Sequence, residues 1–128
     1  MTKAGLKFIG DAMEAAGIAY DFMEFTSSIE RLETYWVGEY SEQEPVSEDG
    51  CMEQQFILTG TGKSSWLCLE NEKEKIEELF PAMQGRTAIL ENGNGIAVFY
   101  GNAFHVPTGD GFLKRLQINL VVKEWKVN

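Results

Sequence analysis

The sequence predicts a small α+β domain in which a largely antiparallel sheet carries two helices packed on one face, in the order α-β-β-β-α-β-β-β. Three observations lead to this fold class. Two stretches carry apolar residues at three- and four-residue steps, which is the period of a helix. Six stretches have the composition of strands, and turn-forming residues separate most of them. The 128 residues contain no repeat and no linker, so a single domain spanning 1–128 is expected.

The first helix is expected over residues 2–16. Thr2 is suited to cap it, because a hydroxyl accepts from the unpaired N–H groups of a first turn. Gly17 is suited to end it, since glycine readily adopts the left-handed conformation that stops many helices. The predicted buried stripe consists of Leu6, Ile9, Met13 and Ala16.

Three strands are expected next, over residues 18–25, 32–42 and 52–59. Trp36 and Tyr40 are four residues apart in the second strand and therefore point to the same face. The stretch 41–50 contains proline, glycine and charge with little apolar content, which indicates an exposed loop. Across that loop the second and third strands are expected to pair antiparallel.

The second helix is the longest helical pattern in the chain. Ser64 and Ser65 stand where N-cap residues belong, and Pro81 predicts an end near Phe80. The apolar face of this helix is formed by Trp66, Leu69, Ile76, Leu79 and Phe80. Glutamates and lysines fill most of the opposite face, so the helix is expected to lie on an apolar surface.

Three more strands are expected over residues 86–91, 96–104 and 112–127, with a loop at 105–111. The first two flank Asn92-Gly93-Asn94-Gly95, a strong hairpin signal because both turn positions tolerate positive φ. In the final strand Leu116, Ile118, Leu120 and Val122 alternate with Arg115, Gln117, Asn119 and Lys123, which predicts one buried face and one wet face. We expect this strand at an edge of the sheet, where unpaired backbone is available to a neighbouring chain.

Charge is distributed unevenly along the chain. The net charge is −9, and a surface of that sign disfavours duplex DNA. Residues 32–62 contain seven acidic residues and no basic one, whereas residues 112–128 contain four basic residues and one acidic residue. One interpretation is a solvated loop and a lysine-bearing strand face, and the other is a subunit whose acidic side meets a neighbour's basic side. The candidate subunit-interface residues are Glu42, Glu44, Glu48 and Asp49 in the loop, with Arg115, Lys123 and Trp125 in the final strand.

The composition predicts a globular protein of the cytosol. No apolar run approaches the ~20 residues of a membrane span. Residues 1–17 lack the apolar core and cleavage site of a secretory signal. Cys51 and Cys68 are expected to be ordinary thiols in a reducing compartment.

The string Gly60-Thr61-Gly62-Lys63-Ser64-Ser65 contains Gly-Lys-Ser, the end of a phosphate-binding loop. Such a loop needs a glycine five residues before the Gly-Lys-Ser, and Ile57 occupies that position. No aspartate ends a later apolar strand, where it would hold magnesium. We therefore interpret the string as a strand-to-helix turn.

The residues able to perform chemistry form no recognisable constellation. His105 is the only histidine, and Cys51 and Cys68 lack the short spacing of structural zinc sites. General-base catalysis by His105 would require a positioned partner that the sequence does not indicate. We therefore expect no enzyme activity, no metal and no cofactor.

Several strings resemble those of one group of proteins. They are Ala-Ala-Gly-Ile (15–18), Tyr-Asp-Phe-Met-Glu-Phe (20–25), Tyr-Trp-Val-Gly-Glu-Tyr (35–40), Phe-Ile-Leu-Thr-Gly (56–60), Ser-Trp-Leu (65–67) and Gln-Ile-Asn-Leu-Val-Val-Lys-Glu-Trp-Lys (117–126). In this order they resemble small tail-module proteins of tailed bacteriophages and prophages. The group comprises the tail completion, tail terminator and head–tail joining proteins encoded beside the major tail protein.

The resemblance implies a structural subunit that forms a ring, commonly hexameric, at the head-proximal end of a tail. The implied partners are other copies of the chain, the major tail protein and the head–tail connector proteins. It also implies assembly in the bacterial cytoplasm and a final place in the virion tail. An acidic surface suits a ring through which DNA slides, because like charge prevents tight phosphate contacts. Neither sequence-specific nucleic-acid binding nor membrane binding is expected.

One alternative belongs to another class of function, a small-molecule (effector)-binding α+β domain with an aromatic-lined pocket. Its pocket would be formed by Trp36, Tyr40, Trp66 and a buried glutamate, between sheet and helices. The ring predicts an oligomer without a deep pocket. The ligand binder predicts a monomer or dimer with an enclosed apolar cleft.

Overall fold

The computed structural model describes residues 1–24, 33–42, 50–63 and 65–126. These residues form two helices and a six-stranded mixed sheet, in the predicted order. The helices are α1 (Lys3–Ala15) and α2 (Trp66–Leu79). The strands are β1 (Tyr20–Phe22), β2 (Thr34–Glu42), β3 (Cys51–Gly62), β4 (Arg86–Ile89), β5 (Gly95–Val106) and β6 (Lys114–Trp125). The α+β class is therefore confirmed.

The strands lie side by side in the order β1-β2-β3-β6-β5-β4. The pairs of neighbouring strands are antiparallel, apart from β1 with β2, which is parallel. The prediction that the final strand lies at an edge is wrong, because β6 pairs with β3 along its whole length and with β5 from Arg115 to Trp125. The alternation of apolar and polar residues shows that one face of a strand is buried. It does not show whether the strand has a neighbour on one side or on both sides.

Helix α1 begins and ends at the residues that the sequence indicates. The Thr2 hydroxyl accepts from the Gly5 N–H at 3.1 Å, and Gly17 has a φ of +75° just after the helix. Ile9 and Met13 are fully buried against the sheet. Leu6 and Ala16 of the predicted stripe are only partly buried, whereas Ala4, Gly5 and Ala12 are buried as well.

Helix α2 is capped by Ser65, whose hydroxyl accepts from the Cys68 N–H at 3.3 Å. Leu69, Ile76 and Phe80 are fully buried, as predicted. Trp66 departs from the prediction, because 41% of it remains exposed. It is the first residue of the helix and lies against His105, with ring centroids 4.8 Å apart, at the end of the sheet and not over its centre.

Close packing explains two glycines of the helix-covered face. A Cβ at Gly60 would lie 2.6 Å from the ring of Trp36, and one at Gly38 would lie 2.6 Å from the ring of Phe56. Atoms do not approach so closely, so a side chain at either position would displace a core aromatic residue. Gly60 and Gly62 belong to β3, which extends to Gly62 where the sequence predicted an end at residue 59.

Candidate functional site

The sheet has one face that no helix of the described chain covers. On the covered face the side chains Phe56, Leu58, Leu116, Ile118, Leu120 and Val122 are fully or almost fully buried. The alternate residues of the same strands point to the other side. We name that side the helix-free face, and its main residues are Val37, Ile57, Phe99, Phe104, Arg115, Gln117, Asn119, Val121, Lys123 and Trp125.

Three of the predicted interface residues, Arg115, Lys123 and Trp125, share the helix-free face of β6. The Lys123 ammonium lies 5.8 Å from the centroid of the Phe99 ring, a cation–π distance. Lys123 is also directly opposite Glu53 on the neighbouring strand β3. Trp125 is 36% exposed at the end of the strand. This row therefore gives the helix-free face both basic and aromatic character.

The predicted acidic residues do not join that row. Glu42 ends β2 and pairs with the N-terminal ammonium of Met1 at 3.2 Å. Its position is opposite Gln54 of β3, so it belongs to the helix-covered side of the sheet. Glu44, Glu48 and Asp49 lie outside the described residues.

The Gly-Lys-Ser string does not form a phosphate-binding loop. Gly60, Thr61 and Gly62 are paired with β2 on one side and with β6 on the other. Their backbone belongs to the sheet and does not wrap around a site for an anion. Ser65 is occupied as the cap of α2, and Ser64 lies outside the described residues.

Glu124 is a fully buried carboxylate that the sequence analysis did not select. The Thr2 hydroxyl lies 3.0 and 2.8 Å from its two oxygens, and the Asn94 amide donates to it at 2.7 Å. It therefore joins β6 to the start of α1 and to the hairpin between β4 and β5. A signal was present, because Glu124 continues the alternation of the buried residues Leu116, Ile118, Leu120 and Val122 in β6.

A second acidic group, Glu72 of α2, faces the core near β2. It accepts a hydrogen bond from the Thr34 hydroxyl. Burial raises the pKa of the Glu72 carboxyl above its usual value, while the nearby Trp36 indole and then Lys75 lower it. Trp36 Nε1 makes no hydrogen bond of normal geometry to any described residue. Burial likewise raises the pKa of the Tyr20 phenol, and Asp21 adds to that effect.

His105 lies in β5 and not in the loop that was predicted for it. Its Nε2 is 3.0 Å from a carboxylate oxygen of Glu70, and its ring meets the edge of Trp66. Cys51 is nine residues from Gly60 along β3, roughly 30 Å away, whereas His105 lies at the level of Gly60. In the described part of the chain, no three His, Cys, Asp or Glu residues converge as metal ligands would.

Two cavities of the described chain are open clefts. One, of about 340 Å³, lies beside the 107–111 loop and is bordered by Trp66, Val106, Leu113 and Lys114. Another, of about 160 Å³, lies between α1 and the end of β4. Trp36 borders neither of these clefts and is fully buried. The backbone of Trp36 lies three strands, or ~14 Å, from that of His105, which Trp66 contacts, and neither of these two clefts brings the two tryptophans of the proposed aromatic pocket together.

No protein-family model matches this chain, and no curated protein matches it significantly. Neither helix of the described chain has the length and apolar content needed to cross a membrane.

Proposed function

We propose that this chain is a structural subunit of a bacteriophage or prophage tail, of the tail completion, tail terminator or head–tail joining type. In this proposal six copies form a ring, which contacts the major tail protein on one side and the connector proteins on the other. The subunit is made and assembled in the bacterial cytoplasm and ends in the virion tail. It catalyses no reaction and needs no cofactor. The resemblance of six sequence strings supports the class of protein.

The helix-free face is the observation that supports a function in assembly. Its four long strands β2, β3, β5 and β6 have 9, 12, 12 and 12 residues. At ~3.3 Å per residue and ~4.8 Å between strands, they present roughly 700 Å². A standard protein–protein interface removes about 800 Å² from each partner. The face is therefore large enough to carry one subunit contact.

Charge indicates which surface of a neighbour suits this face. Arg115 and Lys123 are basic residues in a chain whose net charge is −9. The outer side of α2 is acidic, and Glu74 and Glu78 are exposed there. A head-to-tail contact between the basic row of one subunit and an acidic side of the next is of the kind that closes a ring. Like charge elsewhere on the ring would let DNA pass without tight contacts.

The oligomeric state tests the proposal. Size-exclusion chromatography with light scattering should give a mass of several subunits, and negative-stain microscopy should show rings. The double variant Arg115→Glu/Lys123→Glu should shift the chain toward smaller species, while the matched double variant Lys3→Glu/Lys7→Glu on α1 should not. A chain that stays monomeric, alone and when mixed with the tail-tube and connector proteins encoded beside it, would contradict the proposal.

The small-molecule-binding alternative has one observation in its favour, the cleft of about 340 Å³ beside Trp66. That volume is at the lower end of ligand pockets, which usually enclose most of their ligand. Quenching of tryptophan fluorescence during a small-molecule screen, lost in Trp66→Leu, would favour this alternative over the ring.

A further inference from the structure

The outer edge of β5 is unpaired along half of its length. Strand β4 pairs only with residues 95–98 of β5, which continues to Val106. The Tyr100 N–H then donates to the Phe80 carbonyl at 2.9 Å. Beyond that bond, in the described part of the chain, no strand lies outside residues 101–106. Gly101, Asn102, Phe104 and His105 are exposed there.

The pairing pattern shows which backbone groups face outward. Antiparallel strands direct successive residues alternately to one neighbour and to the other. Tyr100 donates away from β6, so the residues in phase with it face the edge. Gly101 forms a bulge, which shifts the alternation by one residue. After the bulge, Ala103 and His105 lie opposite Ile118 and Leu116 and face the edge as Tyr100 does. Ala103 and His105 therefore direct their N–H and C=O groups to the open edge.

Beyond the bulge at Gly101, this edge lacks the protection that sheet edges usually carry. Natural edges are blocked by lysine, other charged residues, proline, bulges or short length. The opposite edge follows that rule, because β1 has three residues with Asp21 at its centre. Residues 101–106 read Gly-Asn-Ala-Phe-His-Val, with no lysine, arginine, acidic residue or proline. The open edge of β5 is therefore suited to accept another strand.

We propose that the open edge of β5 binds the same edge of a second copy of this chain, antiparallel and about a two-fold axis at Phe104. Ala103 of each copy then exchanges two backbone hydrogen bonds with His105 of the other. The pair is joined by four such bonds, and the two sheets become one continuous sheet. This pairing does not depend on the assignment to a phage tail, because it follows from the edge alone.

The register is fixed by both ends of the open segment. Centring the axis on Ala103 would oppose His105 to Gly101, which is held in the bulge against Asn119. Centring it on His105 would oppose Ala103 to Pro107, which has no N–H. Only an axis at Phe104 uses both outward-facing residues of each copy. Moving the two-fold axis from Phe104 to Ala103 or to His105 therefore loses backbone hydrogen bonds between the two copies.

Side chains on both faces of the edge suit a second copy. With the axis at Phe104, the two Phe104 rings occupy a non-hydrogen-bonded pair, in which side chains are closest. Phe104 is 48% exposed in the single chain and would gain an aromatic partner on the helix-free face. On the other face Trp66 is 41% exposed above His105. A chain with a net charge of −9 repels its own copies over most of its surface, whereas residues 101–106 contain no acidic residue and the nearby Glu70 carboxylate lies 3.0 Å from His105 Nε2.

Disulfide trapping tests the register directly. In a Cys51→Ser/Cys68→Ser background, Phe104→Cys places the two Cα atoms across the axis ~4.5 Å apart, within the range of a disulfide. Ile89→Cys is the matched control, since Ile89 is 77% exposed on the same face at the end of β4. Under mild oxidation the Phe104→Cys chain should form covalent dimers roughly tenfold faster than the control or more.

Ala103→Pro tests the backbone bonds. It removes an outward N–H and leaves the ladder to β6 intact, so the monomer should fold. Self-association measured by sedimentation equilibrium should weaken by about 30-fold, because two of the four hydrogen bonds are lost. Phe104→Lys, which puts two like charges on the axis, should weaken it as well, while Ile89→Lys should not. Circular dichroism of each variant verifies its folding.

The outcomes separate this proposal from the ring. Loss of association in Ala103→Pro and Phe104→Lys, with fast trapping of Phe104→Cys, supports edge pairing whether or not rings form. Trapping of Phe104→Cys no faster than that of Ile89→Cys would overturn it. A wild-type oligomer that Ala103→Pro leaves unchanged would overturn it too, and would leave the ring proposal standing. A chain that is monomeric at ~1 mM, far above the ~1 μM range of ordinary specific contacts, would refute edge pairing. It would refute the ring as well if the chain also stayed monomeric with the tail-tube and connector proteins.

Discussion

Replacing Glu124 by glutamine should destabilise the protein by about 2 kcal/mol, because the substitution keeps the shape of the side chain and removes its charge. Glu124 is fully buried and receives the Thr2 hydroxyl on both oxygens and the Asn94 amide on one. Thr2 and Asn94 both donate to Oε2, so a glutamine with its oxygen at that position keeps both donors but makes both hydrogen bonds neutral. A hydrogen bond to a charged group contributes about 1.5–3 kcal/mol and a neutral one about 0.5–1.5 kcal/mol, so making two bonds neutral costs about 2 kcal/mol.

The same loss is measurable as a shift of the unfolding temperature. At about 2.1 cal/mol/K per residue, a chain of 128 residues unfolds with an entropy of roughly 270 cal/mol/K, so 2 kcal/mol lowers the midpoint by about 7 °C. Differential scanning calorimetry at pH 7 gives that midpoint. Glu53→Gln is the matched control, since Glu53 is exposed on the adjacent strand, and it should change stability by less than ~0.5 kcal/mol.

A competing effect gives the experiment its power to refute. Burying a charge is costly, and if that cost exceeded the hydrogen bonding, Glu124→Gln would raise the midpoint. An unchanged or higher midpoint would therefore refute the view that this carboxylate stabilises the junction of α1, β6 and the β4–β5 hairpin.

Three further predictions concern the core and α2. Gly60→Ala should cost about 1–3 kcal/mol in urea titrations and alter the near-ultraviolet signal of Trp36, because the new Cβ would lie 2.6 Å from that ring; unchanged stability would contradict the close packing. Glu72→Gln should raise the free energy of unfolding at pH 7, and by less than ~1 kcal/mol because the carboxylate is only half-buried. The pKa of the Glu72 carboxyl is higher in the folded chain than its usual value of 4.5. Its contribution to the stability of the fold is therefore fully present below pH 4.5 and is lost as the pH rises through the pKa of the folded state. The variant should therefore show a flatter decline of stability above pH 4.5 than the wild type, and an identical pH profile would contradict the assignment. Ser65→Ala should lower stability by about 1 kcal/mol through loss of the cap of α2, whereas Ser65→Asp should retain most of it; equal loss in both would exclude capping.

The helices were predictable because their signals are local. Thr2 and Gly17 each act within a few residues of their own position, and the structure places both where the sequence indicates. Gly60 and Gly62 were misleading for a related reason. Glycine usually marks a turn, and here its small size makes room for Leu69 and for Trp36, which belongs to another strand.

Strand neighbours were not predictable, because they depend on contacts between distant parts of the chain. The period of β6 identifies its buried side chains, yet a central strand and an edge strand have the same period when only one face is covered. The parallel pairing of β1 with β2 likewise leaves no mark in either strand. The predicted interface residues of β6 therefore lie on an exposed face, and the unpaired backbone belongs to β5.

The two proposed contact surfaces share only Phe104, so variants at other residues separate their tests. Lys123 lies on the helix-free face of the central strand β6, whereas Ala103 and His105 direct their backbone groups sideways from the edge of β5. A substitution at Lys123 changes the charge of the face without touching the edge, and Ala103→Pro blocks the edge without changing the charge of the face. Head-to-tail contact of faces generates rings, while edge pairing about a two-fold axis generates closed pairs. If both contacts form, each single variant should therefore leave a different intermediate: dimers when the face is altered, and rings or their fragments when the edge is blocked.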